Sequence, residues 1–247
     1  MPVELVSVPD EGRVFTTIRR VRLGDASPGG RLRLDAVARM LQDISDDDTR
    51  SAGFDDAAGW VVRRTTLHID RFPTYLEVLH ARTWCSATGG RWAERRVELS
   101  GESGGVVEAA TLWVHLDPST LRPLALPTRF HEIFGESTGG RTVRSTLHHR
   151  PLPTDIGPPR PFPLRFSDFD VMGHMNNANY WAAIEEELAR RRDLRAPVRA
   201  EVEYREAIDP GAAVDVYVCD ADTSFELWLA ERGSSRVYAS ARVEAQP

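Results

Sequence analysis

The chain of 247 residues has no lysine; all 31 of its basic residues are arginine. Covalent catalysis through a lysine Schiff base is therefore excluded. Cysteine is nearly absent too, with Cys85 and Cys219 far apart and no C-x-x-C spacing, so neither a disulfide framework nor a thiolate metal site is expected. Both are expected to be reduced, partly buried thiols. Positive charge is in deficit: the formal net charge of −6 argues against general nucleic-acid binding, which needs a basic surface. No window approaches the roughly 18 apolar residues that a membrane span requires. The start, Met1-Pro2-Val3-Glu4-Leu5-Val6, has no charged-then-apolar leader, so a cytoplasmic protein without membrane contact is expected.

Only seven histidines occur. His148 and His149 are adjacent in an extended segment, where neighbouring side chains point apart, and are expected to be solvated rather than a ligand pair. His68, His80 and His115 fall in strand patterns with surface or satisfied core roles. The acidic run Asp46-Asp47-Asp48 reads as a solvated helix face. No metal and no cofactor are expected.

What the chain does have is the segment Arg165 to Trp181, RFSDFDVMGHMNNANYW. Tyr180, Trp181, Ile184 and Leu188 recur at helical spacing with Glu185, Glu186 and Glu187 between them, and Arg190, Arg191 and Arg192 close the C-terminal turn. Asn176 or Asn177 supplies the N-cap. The first-turn N–H groups of such a helix lack intrahelical partners and, with the macrodipole, favour a developing oxyanion. Gly173 allows close backbone approach, and Asp170 stands four residues before His174, so one loop presents both side chains beside those donors. A plain strand-to-helix turn uses the same residue types.

Sliding the chain against itself by 143 positions sets Arg22, Asp25 and Gly30 on Arg165, Asp168 and Gly173, while Val21, Leu23, Leu32, Val37 and Leu41 meet Leu164, Phe166, Met175, Tyr180 and Ile184. Each half then runs strand, loop, amphipathic helix and several strands joined by polar turns. In the first half the strands are expected near Val14–Leu23, Val61–Ile69, Leu76–Trp84, Trp92–Leu99 and Val106–Leu116, with Leu34, Val37, Ala38, Leu41 and Ile44 as the helix stripe. In the second half they are expected near Pro163–Phe166, Val198–Tyr204, Val214–Cys219, Phe225–Ala230 and Arg236–Val243. Between them Gly139-Gly140 and Pro151, Pro153, Pro158, Pro159 and Pro161 predict an extended connector without regular structure. The fold class is α+β.

The DFDVMGHMNNANYW segment, the duplicated helix-plus-sheet pattern and the long connector resemble the acyl-acyl-carrier-protein thioesterases of plants and bacteria over nearly the whole chain. The resemblance implies a tandem, or double, hotdog, each copy a central helix wrapped by an antiparallel sheet. Its expected parts are an N-terminal hotdog over residues 1–134 that shapes the acyl pocket, a connector over 135–161, and a catalytic hotdog over 162–247. It implies hydrolysis of fatty acyl thioesters in lipid metabolism and fatty acid biosynthesis, with acyl carrier protein as the partner. It also implies Asp170 as the central carboxylate, His174 as its polar partner, and Met172, Gly173, Asn176 and Asn177 around the substrate.

Two departures stand out. Where the plant enzymes have asparagine between the acid and the histidine, this chain has Met172, which offers no useful hydrogen bond. The family's glutamate, three residues after a tyrosine, would fall on Ala207; the nearest acid, Glu206, is one place early and reaches the site only through a bulge. The Asp-x-x-Gly-His part is close to that of single-hotdog acyl-CoA thioesterases. Acyl-CoA hydrolysis and a non-catalytic acyl-thioester binding protein therefore stand as alternatives. Asp170 acts as a general base on water or attacks the carbonyl itself, with backbone donors near Gly173 and His174 facing the oxyanion.

Two G-x-S-x-G strings, at Gly101–Gly105 and Gly135–Gly139, lack the strand-then-helix setting that a serine nucleophile needs. The arginines Arg190, Arg191, Arg192 and Arg195, or Arg63-Arg64 and Arg95-Arg96, offer cations to an acidic carrier or to coenzyme phosphates, or else complement a helix end and strand edges. Trp60, Leu41 or Trp113 are candidates to close the acyl tunnel. A fused pair of hotdogs satisfies the pairing that single ones achieve by dimerising, so monomer and homodimer are both open.

Overall fold

The computed structural model describes residues 5–54, 59–191 and 194–246; Arg192 and residues 1–4 lie outside the described residues. Alternating apolar and polar side chains put most of the regular structure into strands, and ten of these form one antiparallel sheet. In chain order come β1 (Phe15–Arg20), α1 (Leu34–Ser51), β2 (Gly59–Arg71), β3 (Val78–Thr88), β4 (Trp92–Gly101), β5 (Val106–Leu116) and α2 (Thr128–Phe134). Then follow β6 (Arg160–Phe162), α3 (Tyr180–Arg190), β7 (Val198–Tyr204), β8 (Val214–Ala221), β9 (Ser224–Glu231) and β10 (Val237–Ala245).

The strand order β1-β3-β4-β5-β2-β7-β10-β9-β8-β6 repeats one arrangement outward from its middle, since β1 to β5 and β6 to β10 occupy matching places. The halves join where Arg64–Ile69 of β2 pairs with Val198–Glu203 of β7. One face of that seam is apolar. Leu67, Ile69, Ala200 and Val202 are buried there in one core with the α1 stripe and with Trp181, Ile184 and Leu188 of α3. The two helices thus share a single core, which the apolar positions of both halves were spaced to build.

Residues 141–150 cross the other face. Trp92 Nε1 donates to the Val143 carbonyl at 2.7 Å, Arg64 to the Thr146 carbonyl at 3.2 Å and Trp228 Nε1 to the Arg150 carbonyl at 3.3 Å. The Glu203 side chain, fully buried, accepts the N–H groups of His148 and His149. His149 is no solvated linker residue: its side chain is 9% exposed, with Nε2 3.2 Å from Glu201 Oε1 and Nδ1 3.0 Å from Ser240 Oγ. A strap pinned to a buried carboxylate must bring its neighbours down with it. Although burial works against ionisation, hydrogen bonds from His149 and Thr66 and the charge of Arg199 hold the Glu201 carboxyl down at about 2.

Other expectations are displaced. The strand expected over Val14–Leu23 ends at Arg20, because the Asp25 carboxylate takes the Arg22 N–H at 2.9 Å and folds residues 23–25 into a 3-10 turn. The strand expected over Pro163–Phe166 lies earlier, at β6, for the matching reason: Asp168 takes the Arg165 N–H at 2.7 Å. The connector is not wholly irregular, with a 3-10 turn at Glu136–Thr138 and β6 starting inside it. Helix α2 carries no strong periodicity in sequence; it forms because Phe130 and Phe134 pack edge-on against Phe54 in a second apolar cluster. The acidic run is not wholly solvated either, since Asp48 is buried between Arg13 and Arg95. Among the described residues no helix is long and apolar enough to cross a membrane.

Candidate active site

The loop before α3 is closed by its own backbone. The Asp170 N–H donates to the His174 carbonyl, the Gly173 N–H to the Asp170 carbonyl and the Asn176 N–H to the Asp168 carbonyl, at 3.1, 3.0 and 2.8 Å. Gly173 sits at φ +79°, where a side chain would be strained. The matching loop of the first half makes the same three bonds, Ser27 to Arg31, Gly30 to Ser27 and Arg33 to Asp25, at 2.7, 2.8 and 2.9 Å. The 143-residue offset therefore holds bond for bond.

Within this frame the Asp170 carboxylate is half-buried and fixed at both oxygens: Oδ1 accepts the Met172 N–H at 2.9 Å and Oδ2 accepts Asn176 Nδ2 at 3.0 Å. Asn176 in turn caps the following turn, its Oδ1 accepting the Ala178 N–H at 2.9 Å. His174 is exposed, and its Nδ1 lies 2.8 Å from Asp209 Oδ1. The Met172 side chain faces solvent, so that residue acts on Asp170 through its backbone alone. The Gly173 N–H is committed to the loop itself, which leaves the donors for a substrate oxygen to other groups.

Tyr204 joins this loop to the core. Its hydroxyl donates to the Asn177 carbonyl at 3.1 Å and accepts Trp181 Nε1 at 2.9 Å. Burial pushes the Tyr204 and Tyr180 hydroxyls well above the ordinary tyrosine range, so both stay neutral donors.

Glu206 is placed differently. The N–H groups of Arg205 and Glu206 both reach the Tyr238 carbonyl, at 2.8 and 3.1 Å, which is the two-against-one pattern of a bulge. Even so, the Glu206 carboxylate is taken by Arg236 Nε at 2.6 Å, on the exposed rim. The structure thus brings Asp170 and Asn176 together, sets Asn177 on the wall of a narrow cavity with its carbonyl on Tyr204, and pairs His174 with Asp209, an acid that counting from Tyr204 had missed. The signal lay in the Asp209-Pro210-Gly211 turn between β7 and β8.

A mainly apolar pocket of about 320 Å³ opens between α1, α2 and the sheet, lined among others by Phe54, Trp60, Trp113, Phe130 and Phe134. Leu41, buried under the helix, lines instead a narrow cavity at the head of α3 together with Asn177 and Ala178. Gln42 and Trp113 border both spaces and so stand between the pocket and the head of α3.

The other nucleophile candidates are disposed of by geometry. Ser103 sits in the β4–β5 hairpin turn, and the buried Ser137 donates its hydroxyl to the Cys85 and Phe134 carbonyls. Cys85 lines the pocket, but burial pushes its thiol up to about 11, so it is no thiolate at neutral pH. Iodoacetamide at pH 8 is expected to label Cys219 in the folded protein and Cys85 only after unfolding; peptide mass mapping showing rapid Cys85 alkylation in the native state would contradict this. The candidate carrier-binding arginines are mostly engaged internally: Arg95 with Asp48, Arg96 with Glu94, Arg63 with the Tyr204 carbonyl, Arg190 with Glu187 and Arg191 with Asp220. His149, Glu201 and Glu203 offer ligand atoms within 4.8 Å of one another, yet Thr66, Arg199, Arg205 and two connector N–H groups already occupy those carboxylates.

Comparison with known proteins places the chain in a family. The profile of the acyl-ACP thioesterase N-terminal domain matches residues 12–134, and that of the acyl-ACP thioesterase C-terminal domain matches residues 157–241. An uncharacterized protein of Mycobacterium tuberculosis is 32% identical over 216 residues, covering 86% of this chain and 85% of its own. The chloroplast palmitoyl-acyl carrier protein thioesterase of Gossypium hirsutum is 25% identical over 209 residues, which cover 72% of this chain and 48% of that protein. Among solved structures, the 12:0-ACP thioesterase from Umbellularia californica superposes with a TM-score of 0.78 at 19% identity, over 95% of this chain and 94% of that one. At that identity the likeness establishes a hotdog-type fold. The chain belongs to the acyl-ACP thioesterase family, and with it to the thioester hydrolases.

Proposed function

We propose that this protein releases free fatty acid from acyl-acyl-carrier-protein, working in the cytoplasm in fatty acid biosynthesis as a tandem hotdog. The first copy, residues 1–134, holds the acyl chain; residues 162–247 carry the reaction, and 135–161 strap the two together. The mirrored strand order and the loop frame repeated at a 143-residue offset support the duplication. Because the β2–β7 seam already joins both copies in one sheet, a single chain is a complete unit.

One observation carries the reading. Asp170 is a half-buried carboxylate clamped from two sides in a glycine loop, and the Asn176 that holds it directly precedes Asn177, which lines a narrow cavity sharing Gln42 and Trp113 with the apolar pocket. The clamp orients a lone pair toward a water, which attacks the thioester carbonyl carbon as its proton passes to Asp170. Collapse of the oxyanion expels the thiolate, which takes a proton, leaving fatty acid and thiol. Asn176 supplies an amide beside the acid, so the loss of a hydrogen-bonding side chain at Met172 does not leave Asp170 unsupported. Asp209 holds the His174 ring at Nδ1 and thereby sets which nitrogen is free. A pocket of this size and lining suits an acyl tail.

Incubating the protein with a panel of acyl thioesters, followed by mass spectrometry, tests the assignment. Faster hydrolysis of carrier-bound chains than of the matching CoA esters is the expected outcome. Preference for CoA esters would reassign the substrate, and ligand retained without turnover would overturn the enzymatic reading.

A further inference from the structure

The first half keeps the loop frame without the acid: in the 143-residue register Ser27 stands for Asp170, Arg31 for His174 and Leu34 for Asn177. There the Leu34 N–H, at the head of α1, donates to Glu185 Oε2 at 3.1 Å, and Arg31 closes on the same carboxylate at 2.8 Å. The head of α1 is thus filled by an anion supplied from α3, as the partial positive charge of a helix N-terminus favours.

The register partner of Glu185 is Gln42, on α1. By the same symmetry Gln42 belongs at the head of α3, and it does line the narrow cavity there with Asn177, Ala178 and Trp113. Its amide is neutral where its counterpart is charged. A carboxylate at that position would repel both Asp170 and an oxyanion, whereas an amide adds no charge and brings an N–H donor. Among the described residues the Gln42 side chain has no hydrogen-bond partner, and the buried Nε1 of Trp113 has none either. A buried indole N–H without an acceptor and a half-buried amide without a protein partner line the same cavity, and the buried one calls for an acceptor.

We infer that Gln42 and Trp113 donate to the carbonyl oxygen of the bound thioester, so that the first half supplies the oxyanion donors for the acid of the second. The inference rests on thioester hydrolysis at Asp170 as proposed above. The acyl tail would then pass between Gln42 and Trp113 into the larger pocket, which both residues also line.

The test compares Gln42→Leu, Gln42→Glu and Trp113→Phe with the parent protein on a butyryl and a long-chain thioester, with melting temperatures recorded for each. Loss of an oxyanion donor lowers kcat by about 10²–10³-fold. Gln42→Leu is expected to lower kcat in that range on both substrates with KM little changed, Gln42→Glu at least as much, and Trp113→Phe to a smaller extent. Should Gln42→Leu fail to fold, the length-conserving Gln42→Glu carries the comparison. A role confined to lining the tail pocket would change KM for the long chain alone and leave butyryl turnover intact, which would overturn the inference. Asp170→Asn, assayed alongside, separates the two levels: retained activity in that variant sinks the underlying reaction, whereas its loss together with unaffected Gln42 variants sinks only the donor assignment.

Discussion

Asp170→Asn is expected to lower thioester hydrolysis by about 10²–10⁴-fold, the contribution of a positioned general base, while leaving the fold in place. The substitution is nearly isosteric, and its consequences follow from the two bonds that hold the carboxylate. At one oxygen an amide carbonyl still accepts the Met172 N–H. At the other, an NH₂ group would meet the Asn176 NH₂, donor against donor, unless Asn176 turns over and gives up the Ala178 N–H. Either way no group remains that can accept a proton from water. Free-thiol release measures the rate, and unchanged thermal melting shows that the loss is chemical. A variant keeping most of its rate would remove Asp170 from the reaction. His174→Ala should cost less, because its ring meets Asp209 on the exposed rim and touches neither oxygen of Asp170.

The loop that holds these candidate residues was legible in sequence because local chemistry decides it. An acid, a glycine and capping asparagines ahead of a 3.6-residue apolar period make a loop and a helix wherever they occur, and the same arithmetic revealed α1, α3 and the repeat. Long-range partners left no such trace. Glu185 and Gln42 look like ordinary polar positions on two helices; their roles depend on each helix meeting the head of the other, a relation visible only once the sheet has joined the halves at β2 and β7. Asp209 was missed because the family's three-residue count from Tyr204 ends at Ala207, whereas Asp209 stands two places further on, in the turn beyond the strand. His149 was misjudged for a related reason: adjacent side chains in an extended segment do point apart, but one of the two faces here lies against the sheet.

The acidic run of α1 shows how far tertiary contact can separate residues that sequence treats alike. Asp46 is exposed and pairs with Arg50 four residues on, side chains 60% and 78% accessible, in a setting where water and salt screen the attraction. Asp48, two positions later, has a side chain 1% exposed and joins Arg13 Nε, at 2.7 Å, to Arg95, which is itself buried and borders the apolar pocket. Removing this carboxylate strands the largely buried guanidinium of Arg95, and breaking a buried pair from one side costs about 3–5 kcal/mol. Asp48→Ala is therefore expected to lower the melting temperature by about 6–20 °C, at roughly 2–4 °C per kcal/mol for a chain of this size, whereas Asp46→Ala should leave it unchanged. Adding Arg95→Met to Asp48→Ala should recover much of the loss, because it removes the orphaned charge. The rescued protein would carry a thioether in place of a guanidinium at the pocket wall, so long acyl chains should bind it at least as tightly as the parent. Equal melting shifts for the two aspartates, or no rescue by the second substitution, would mean that Asp48 is not the ion that holds this end of α1 to the sheet.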